Sequence, residues 1–242
     1  MAQYLETPIK FQFMKVPASW ELRKLRRGNA PQDEFAFPSV AVTSGASTLK
    51  LSALDGWRVR DAFFGLAEGD NEGLLRFLER VGVWSNVEIL SHWSPEVRRH
   101  CSEGHPVPIR VAGVWKFRET LRRALVDPKG FKADYAARLG RPETDRQLVT
   151  QSGIEYTLRF ELTRVVVGVI RTTDAYQMLL ATVMFDLAKG IPFTQCARKD
   201  CAKPFPLKTA HAKIFCCQYC GHLTSQRKKR ARDKRERVKD TR

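Results

Sequence analysis

The chain has 242 residues, 43% of them hydrophobic and 28% charged, with five Trp and a formal charge of +16. That length carries one fair-sized domain and a small one, and the apolar content excludes an intrinsically disordered chain. So large a basic excess is unusual for a globular enzyme and points to an anionic partner.

In chain order, residues 9–14 alternate apolar and polar side chains, which predicts a half-buried strand. Residues 35–43 predict a second strand, and Pro38 within it assigns that strand to a sheet edge. Residues 47–54 alternate again. Helices follow. Asp70 is placed to cap a helix over 72–81, where Leu74, Leu75, Leu78 and Val81 recur at helical spacing. Pro95 suits the first turn of a short helix running through His100. Residues 111–126 place Val114, Trp115, Phe117, Leu121 and Leu125 on one broad stripe, and Asp127-Pro128-Lys129-Gly130 stops the helix. Residues 154–162 and 165–170 predict two more strands. A helix over 173–189 offers Ala175, Met178, Leu179, Val183, Phe185 and Leu187 for packing and ends at Gly190. The expected fold class is an α+β domain over residues 1–190, followed over 191–242 by a small zinc finger with a basic C-terminal helix.

Charge and cysteine are both concentrated in that last segment. From Cys196 onward there are 15 of the 42 Lys+Arg but 4 of the 26 Asp+Glu, giving +11 in the last 47 residues and leaving +5 in the first 195. Cys101 stands alone, while Cys196, Cys201, Cys216, Cys217 and Cys220 fall close together. The first 30 residues contain no continuous apolar segment of the signal-peptide kind, and apolar runs such as 165–170 are too short to span a bilayer. A cytoplasmic chain is expected, and there clustered cysteines bind metal rather than form disulfides.

The cysteine spacing is C-x4-C from Cys196 to Cys201, then 14 residues, then a pair ending at Cys220 and starting at Cys216 or Cys217. Two close pairs with such a spacer fit a tetrahedral four-thiolate site, because each pair presents two sulfurs from one tight turn and the spacer brings the pairs together. Zn2+ is the expected ion. Phe205 and Phe215 are candidates for the small apolar core of such a module. The stretch 218–238 has no Pro and one Gly, so a helix can start at the second pair and stabilise its thiolates.

Phe215-Cys216 followed after three residues by Cys220 resembles the aromatic-Cys-Ser-x-x-Cys run of bacterial treble-clef fingers, with Cys217 in the Ser place. That resemblance implies Cys196, Cys201, Cys216 and Cys220 as ligands. Cys217 remains an alternative for the third, and His211 or His222 for one of the four sulfurs. The whole stretch CARKDCAKPF…KIFCCQYCGHLTSQRKKRARDKR, with Asp186-Leu187-Ala188-Lys189-Gly190 ahead of it, resembles the C-terminal finger of the CGNR-type bacterial proteins. The signature Asn-Arg of that family is replaced here by His222-Leu223. The resemblance implies a treble-clef-like fold and a DNA-binding transcription regulator.

Arg227, Lys228, Lys229, Arg230, Arg232, Lys234 and Arg235 crowd the segment after the finger, with little apolar surface among them. Such a helix is expected to fray when free and to order along a polyanion, duplex DNA in preference to RNA. These side chains would contact phosphates, leaving base reading to Gln218, Tyr219, His222, Thr224, Ser225 and Gln226. No apolar face accompanies the charge, so a membrane surface is not the expected partner. The first domain would sense a signal, form a homodimer or recruit a protein.

Enzyme signatures are absent: there is no phosphate-cradling Gly loop, Gly-x-Ser-x-Gly elbow or His-Glu-x-x-His. A non-enzyme is expected. His92, His100, Cys101 and His105 form a second Cys/His grouping, but adjacent His100 and Cys101 point apart on a helix, which makes joint ligation awkward. Trp57, Trp84, Trp93 and Trp115 are assigned to the core.

Overall fold

The computed structural model describes residues 9–15, 18–25, 32–39, 50–52, 56–82, 84, 95–103, 106–131, 154–160, 166–172, 174–207 and 213–240. The architecture is mixed α/β, with small sheets and a cysteine cluster near the C-terminus. Four of the expected strands share one sheet. β1 (Ile9–Lys15) lies between β4 (Lys50–Ser52), antiparallel to it, and β7 (Val166–Thr172), parallel to it. β6 (Ile154–Phe160) closes the far edge antiparallel to β7. The parallel pairing sets Ile9 opposite Gly168 and Phe13 opposite Thr172, joining distant parts of the chain. Of the expected strand over 47–54, the ends lie outside the described residues.

A second sheet has the order β2 (Ser19–Leu25), β3 (Asp33–Ser39), β5 (Ile109–Arg110). This corrects the expectation that the Pro38 strand is an edge: β3 is central. The proline is tolerated because β5 reaches only Phe35 and Ala36. Beyond them, among the described residues, β3 has no neighbour on that side whose ladder a missing N–H could interrupt. Residues 40–43 lie outside the described residues. Alternation along β2 and β3 serves two cores. Trp20 and Ala36 enter the main one, while Leu25, Phe35 and Phe37 pack with Val97 of α3 (Pro95–Ser102) on the other face.

The main core gathers α1 (Gly56–Gly65), α2 (Asn71–Val81), α4 (Val111–Val126) and α5 (Ala175–Ala188). Asp70 caps α2 as expected, its carboxylate accepting from the Gly73 N–H at 2.8 Å. Asp127 ends α4, and Asp174 caps α5 by accepting from the Gln177 N–H at 3.1 Å. α5 contacts α1, α4, β1 and β7. A helix enclosed on so many sides needs apolar residues all round, and Ala175, Met178, Leu179, Ala181 and Val183 supply them. Phe63, Phe77, Trp84 and Phe117 form an aromatic cluster with ring centroids 5.2–6.3 Å apart. Trp84 is buried, Trp57 and Trp115 are half-buried, and Trp93 lies outside the described residues. Among the described residues no helix is long and apolar enough to cross a membrane.

α1 is an element the sequence periodicity does not mark. Its apolar residues Trp57, Val59, Phe63 and Phe64 are interrupted on the buried face by Arg60. That arginine is held by a partner 126 positions away, described below.

Candidate metal centre and basic helix

Gly190, at φ +67°, turns the chain out of α5 in the left-handed conformation glycine adopts without strain. The chain then enters the hairpin β8 (Phe193–Gln195) and β9 (Pro204–Pro206). Cys196 leaves β8 and Cys201 sits in the turn, where its N–H donates to the Arg198 carbonyl at 2.9 Å. The Cys196 N–H donates to the Lys203 carbonyl at 3.0 Å and closes the knuckle.

The second cysteine pair is carried over by the Ala197 N–H, which donates to the Ile214 carbonyl at 2.8 Å. α6 (Gln218–Asp240) begins immediately afterwards, with Cys220 in its first turn. Gly221 lets the helix start pack closely there: a Cβ would stand 3.3 Å from the Phe215 ring, which would have to shift by a few tenths of an ångström. Cys196, Phe205 and Cys220 are buried together, with Cys201, Leu207, Phe215 and Cys216 packed against them.

The sulfurs of Cys196, Cys201, Cys216 and Cys220 all lie within 4.8 Å of one another. Cys201 and Cys216 are 3.7 Å apart, and Cys216 and Cys220 3.5 Å. An ion holding four thiolates at about 2.3 Å in a tetrahedron separates them by about 3.8 Å. The set is therefore compatible with a metal site. Cys217 is exposed, with its sulfur 3.6 Å from Cys220 and 3.9 Å from Cys216, and it does not belong to the mutually close set. His222 is exposed, its Nε2 2.8 Å from Gln226 Nε2, while His211 lies outside the described residues.

The electrostatics set what a bound cation would have to do here. Burial, followed by hydrogen bonds with Cys220, Cys201 and Cys196, pushes the Cys216 thiol far above its ordinary value. Burial also pushes Cys220 up to about 12, with a bond to Cys216 partly offsetting and Cys217 and Cys201 adding. Burial works the same way on Cys196, but hydrogen bonds from the Cys216 and Arg198 backbone outweigh it and hold that thiol below its ordinary value. Four negative sulfurs at these distances would repel one another, and a divalent cation bound among them would replace the protons they otherwise keep.

The knuckle is tied to the helical core by contacts that local sequence does not reveal. Arg60 of α1 and Asp186 of α5, each only 4% exposed, form an ion pair at 2.5 Å. Asp186 also accepts from the Trp57 indole N–H at 3.2 Å, and Arg60 donates to the Thr182 carbonyl at 3.2 Å. The guanidinium carbon stands 5.5 Å from the Phe193 ring centroid, at the start of β8. Lys203 reaches Asp61 at 3.3 Å. Asp186 stands four residues before Gly190. Its burial beside Arg60 had no local signal, because a lone Arg in α1 looks like a surface residue.

α6 runs 23 residues. The helix continues through Asp240, over a stretch rich in Arg and Lys with no Pro. From Ser225 to Arg232 every side chain is exposed. Lys228, Lys229 and Arg230 face solvent, Arg232 also approaches Glu236 at 3.9 Å, and Lys234 and Arg235 lie farther along the helix. Gln226 is exposed beside His222. Arg227 differs from the others: both terminal nitrogens donate to the Asp200 carboxylate at 3.0 Å, bracing the helix against the knuckle.

In the second Cys/His grouping, His100 is buried edge-on against Phe37 with centroids 5.1 Å apart, and Cys101 packs on the same cluster. Burial raises the Cys101 thiol. His92 and His105 lie outside the described residues. No family model, no curated protein and no solved structure matches the chain.

Proposed function

We propose that this chain is a zinc-dependent nucleic-acid-binding protein, acting in the cytoplasm as a DNA-binding transcription regulator rather than as an enzyme. One juxtaposition carries the reading: four sulfurs within 4.8 Å at the root of a helix whose exposed middle carries Lys228, Lys229, Arg230 and Arg232. Zinc suits the site because it accepts four soft thiolates in a tetrahedron without redox chemistry. The knuckle hairpin followed by ligands at a helix start supports a treble-clef finger of the CGNR kind. With so small an apolar cluster of its own, this finger draws its folding energy from the ion.

The helix is narrow enough for the DNA major groove. Lys228, Lys229, Arg230, Arg232, Lys234 and Arg235 would pair with phosphates, and Gln226 lies within reach of base edges. Residues 1–190 would supply the signal-sensing, dimerising or partner-recruiting surface.

The test is metal content by mass spectrometry, followed by fluorescence-anisotropy titration of the zinc-loaded chain with duplex DNA and structured RNA at several salt concentrations. About five to eight phosphate contacts give a log–log salt slope of about −4 to −7 on duplex DNA. A truncation ending at Gln226 should abolish that slope. Tighter binding of structured RNA would assign the protein to RNA, and weak binding unaffected by truncation would remove nucleic acid from the account.

A further inference from the structure

Ile214 and Tyr219 are the large apolar side chains left exposed among the described residues, at 56% and 65%. Scattered apolar side chains on a surface need no explanation, but Tyr219 has a cation beside its ring. Both flank the knuckle, since the Ile214 carbonyl accepts from Ala197 and the Arg198 guanidinium stands 6.0 Å from the Tyr219 ring centroid. Arg198 is itself held by Asp200 at 3.2 Å, the carboxylate that also receives Arg227. The ring is thus braced from one side by a fixed cation while most of it remains in water. A tyrosine placed at random on a helix would carry no such brace.

The rest of the exposed face continues from it. Tyr219, His222, Gln226 and Arg230 follow one another at spacings of three, four and four, which puts them on one stripe of α6. All four are exposed. The stripe therefore runs from an aromatic plane through an imidazole–amide pair to a cation. A π-face for a base, donors and acceptors for its edge, and positive charge for the phosphates are what a strand with an unstacked base requires. An intact duplex offers Tyr219 no base face, because its bases are already stacked. Along the helix axis Lys228 to Arg232 lie about 14 to 20 Å from Tyr219. That is about four to six base-pair steps, so both ends of the stripe can engage one short nucleic acid.

We propose that Tyr219 is a stacking platform for an unpaired or extruded base, and that the ligand class of this finger is nucleic acid presenting such a base beside a paired stretch. This rests on the nucleic-acid reading above and narrows it. Arg198, with its guanidinium carbon 6.0 Å from the ring centroid, backs the platform.

The experiment uses the full zinc-loaded chain and two labelled DNA probes: a perfect duplex and the same duplex with one unpaired adenine. The variants are Tyr219→Ala, Tyr219→Trp and the triple Lys228→Ala/Lys229→Ala/Arg230→Ala, each checked for zinc content. Wild type should prefer the bulged probe. Tyr219→Ala should lose about 5- to 150-fold on it, the range of a single base–aromatic stack. Its loss on the perfect duplex should be smaller, its salt slope should be unchanged, and Tyr219→Trp should retain the preference. Equal affinities of wild type and Tyr219→Ala for the bulged probe, with the triple variant weakened on both, would overturn the platform and leave the nucleic-acid reading standing. No binding by wild type, or full binding by the triple variant, would overturn that reading and the platform with it. A change in sedimentation on Tyr219→Ala with no change in binding would assign the patch to a second copy of the chain and also overturn the platform.

Discussion

Asp186→Asn tests whether the core and the finger are joined through the buried Arg60 pair. The substitution leaves a guanidinium that is 4% exposed without its counter-charge, while an amide oxygen can still accept from the Trp57 indole. Removing one member of a buried pair costs about 3–5 kcal/mol, mostly the desolvation of the charge left behind. The surviving Arg60 bond to the Thr182 carbonyl and the Phe193 ring offset part of this, so about 3 kcal/mol is the expected loss. With a urea dependence of about 3 kcal/mol per molar, the midpoint should fall by about 1 M. In a chain of this size the thermal midpoint should fall by about 6–12 °C. The assay is urea and thermal unfolding followed by far-UV circular dichroism. The double variant Arg60→Met/Asp186→Leu removes both charges and should recover most of the loss. A midpoint shift under about 0.3 M for Asp186→Asn, or a double variant as unstable as the single one, would refute the argument.

Cys196→Ser, Cys201→Ser, Cys216→Ser and Cys220→Ser should each release metal, whereas Cys217→Ser and Cys101→Ser should retain it, as read by metal content after gel filtration. Loss in Cys217→Ser with retention in Cys216→Ser would move the third ligand by one residue. Metal uptake at neutral pH should release protons, because Cys216 and Cys220 are held above their ordinary values and must ionise to bind; a pH indicator in weak buffer reads this directly. Asp70→Ala should cost about 1 kcal/mol through loss of the α2 cap, measured by the same urea titration. Asp200→Asn should free Arg227 for phosphate and steepen the duplex-DNA salt slope by about one contact; an unchanged slope would leave Arg227 purely structural.

Sequence determined the features set by short-range chemistry. Asp70 ahead of a helical repeat, the stripe of 111–126 and the alternation of 9–14 each reflect a period and a cap contained within one element. The two close cysteine pairs and the concentration of charge after Cys196 were legible for the same reason. Tertiary structure decided what depends on partners far along the chain. The edge assignment for the Pro38 strand gave way because the reach of β5, not the proline, sets where β3 lacks a neighbour. α1 escaped notice because Arg60 interrupts its apolar face, and only Asp186 makes that burial tolerable. The parallel pairing of β1 with β7 leaves no mark on either strand, since backbone hydrogen bonds carry no side-chain identity. Cys216 and Cys217 are adjacent, so spacing treats them almost alike; the helix start at Gln218 turns one sulfur toward Cys196 and Cys201 and leaves the other exposed. Arg227 has the same chemistry as its neighbours, and only the position of Asp200 across the knuckle sets it apart.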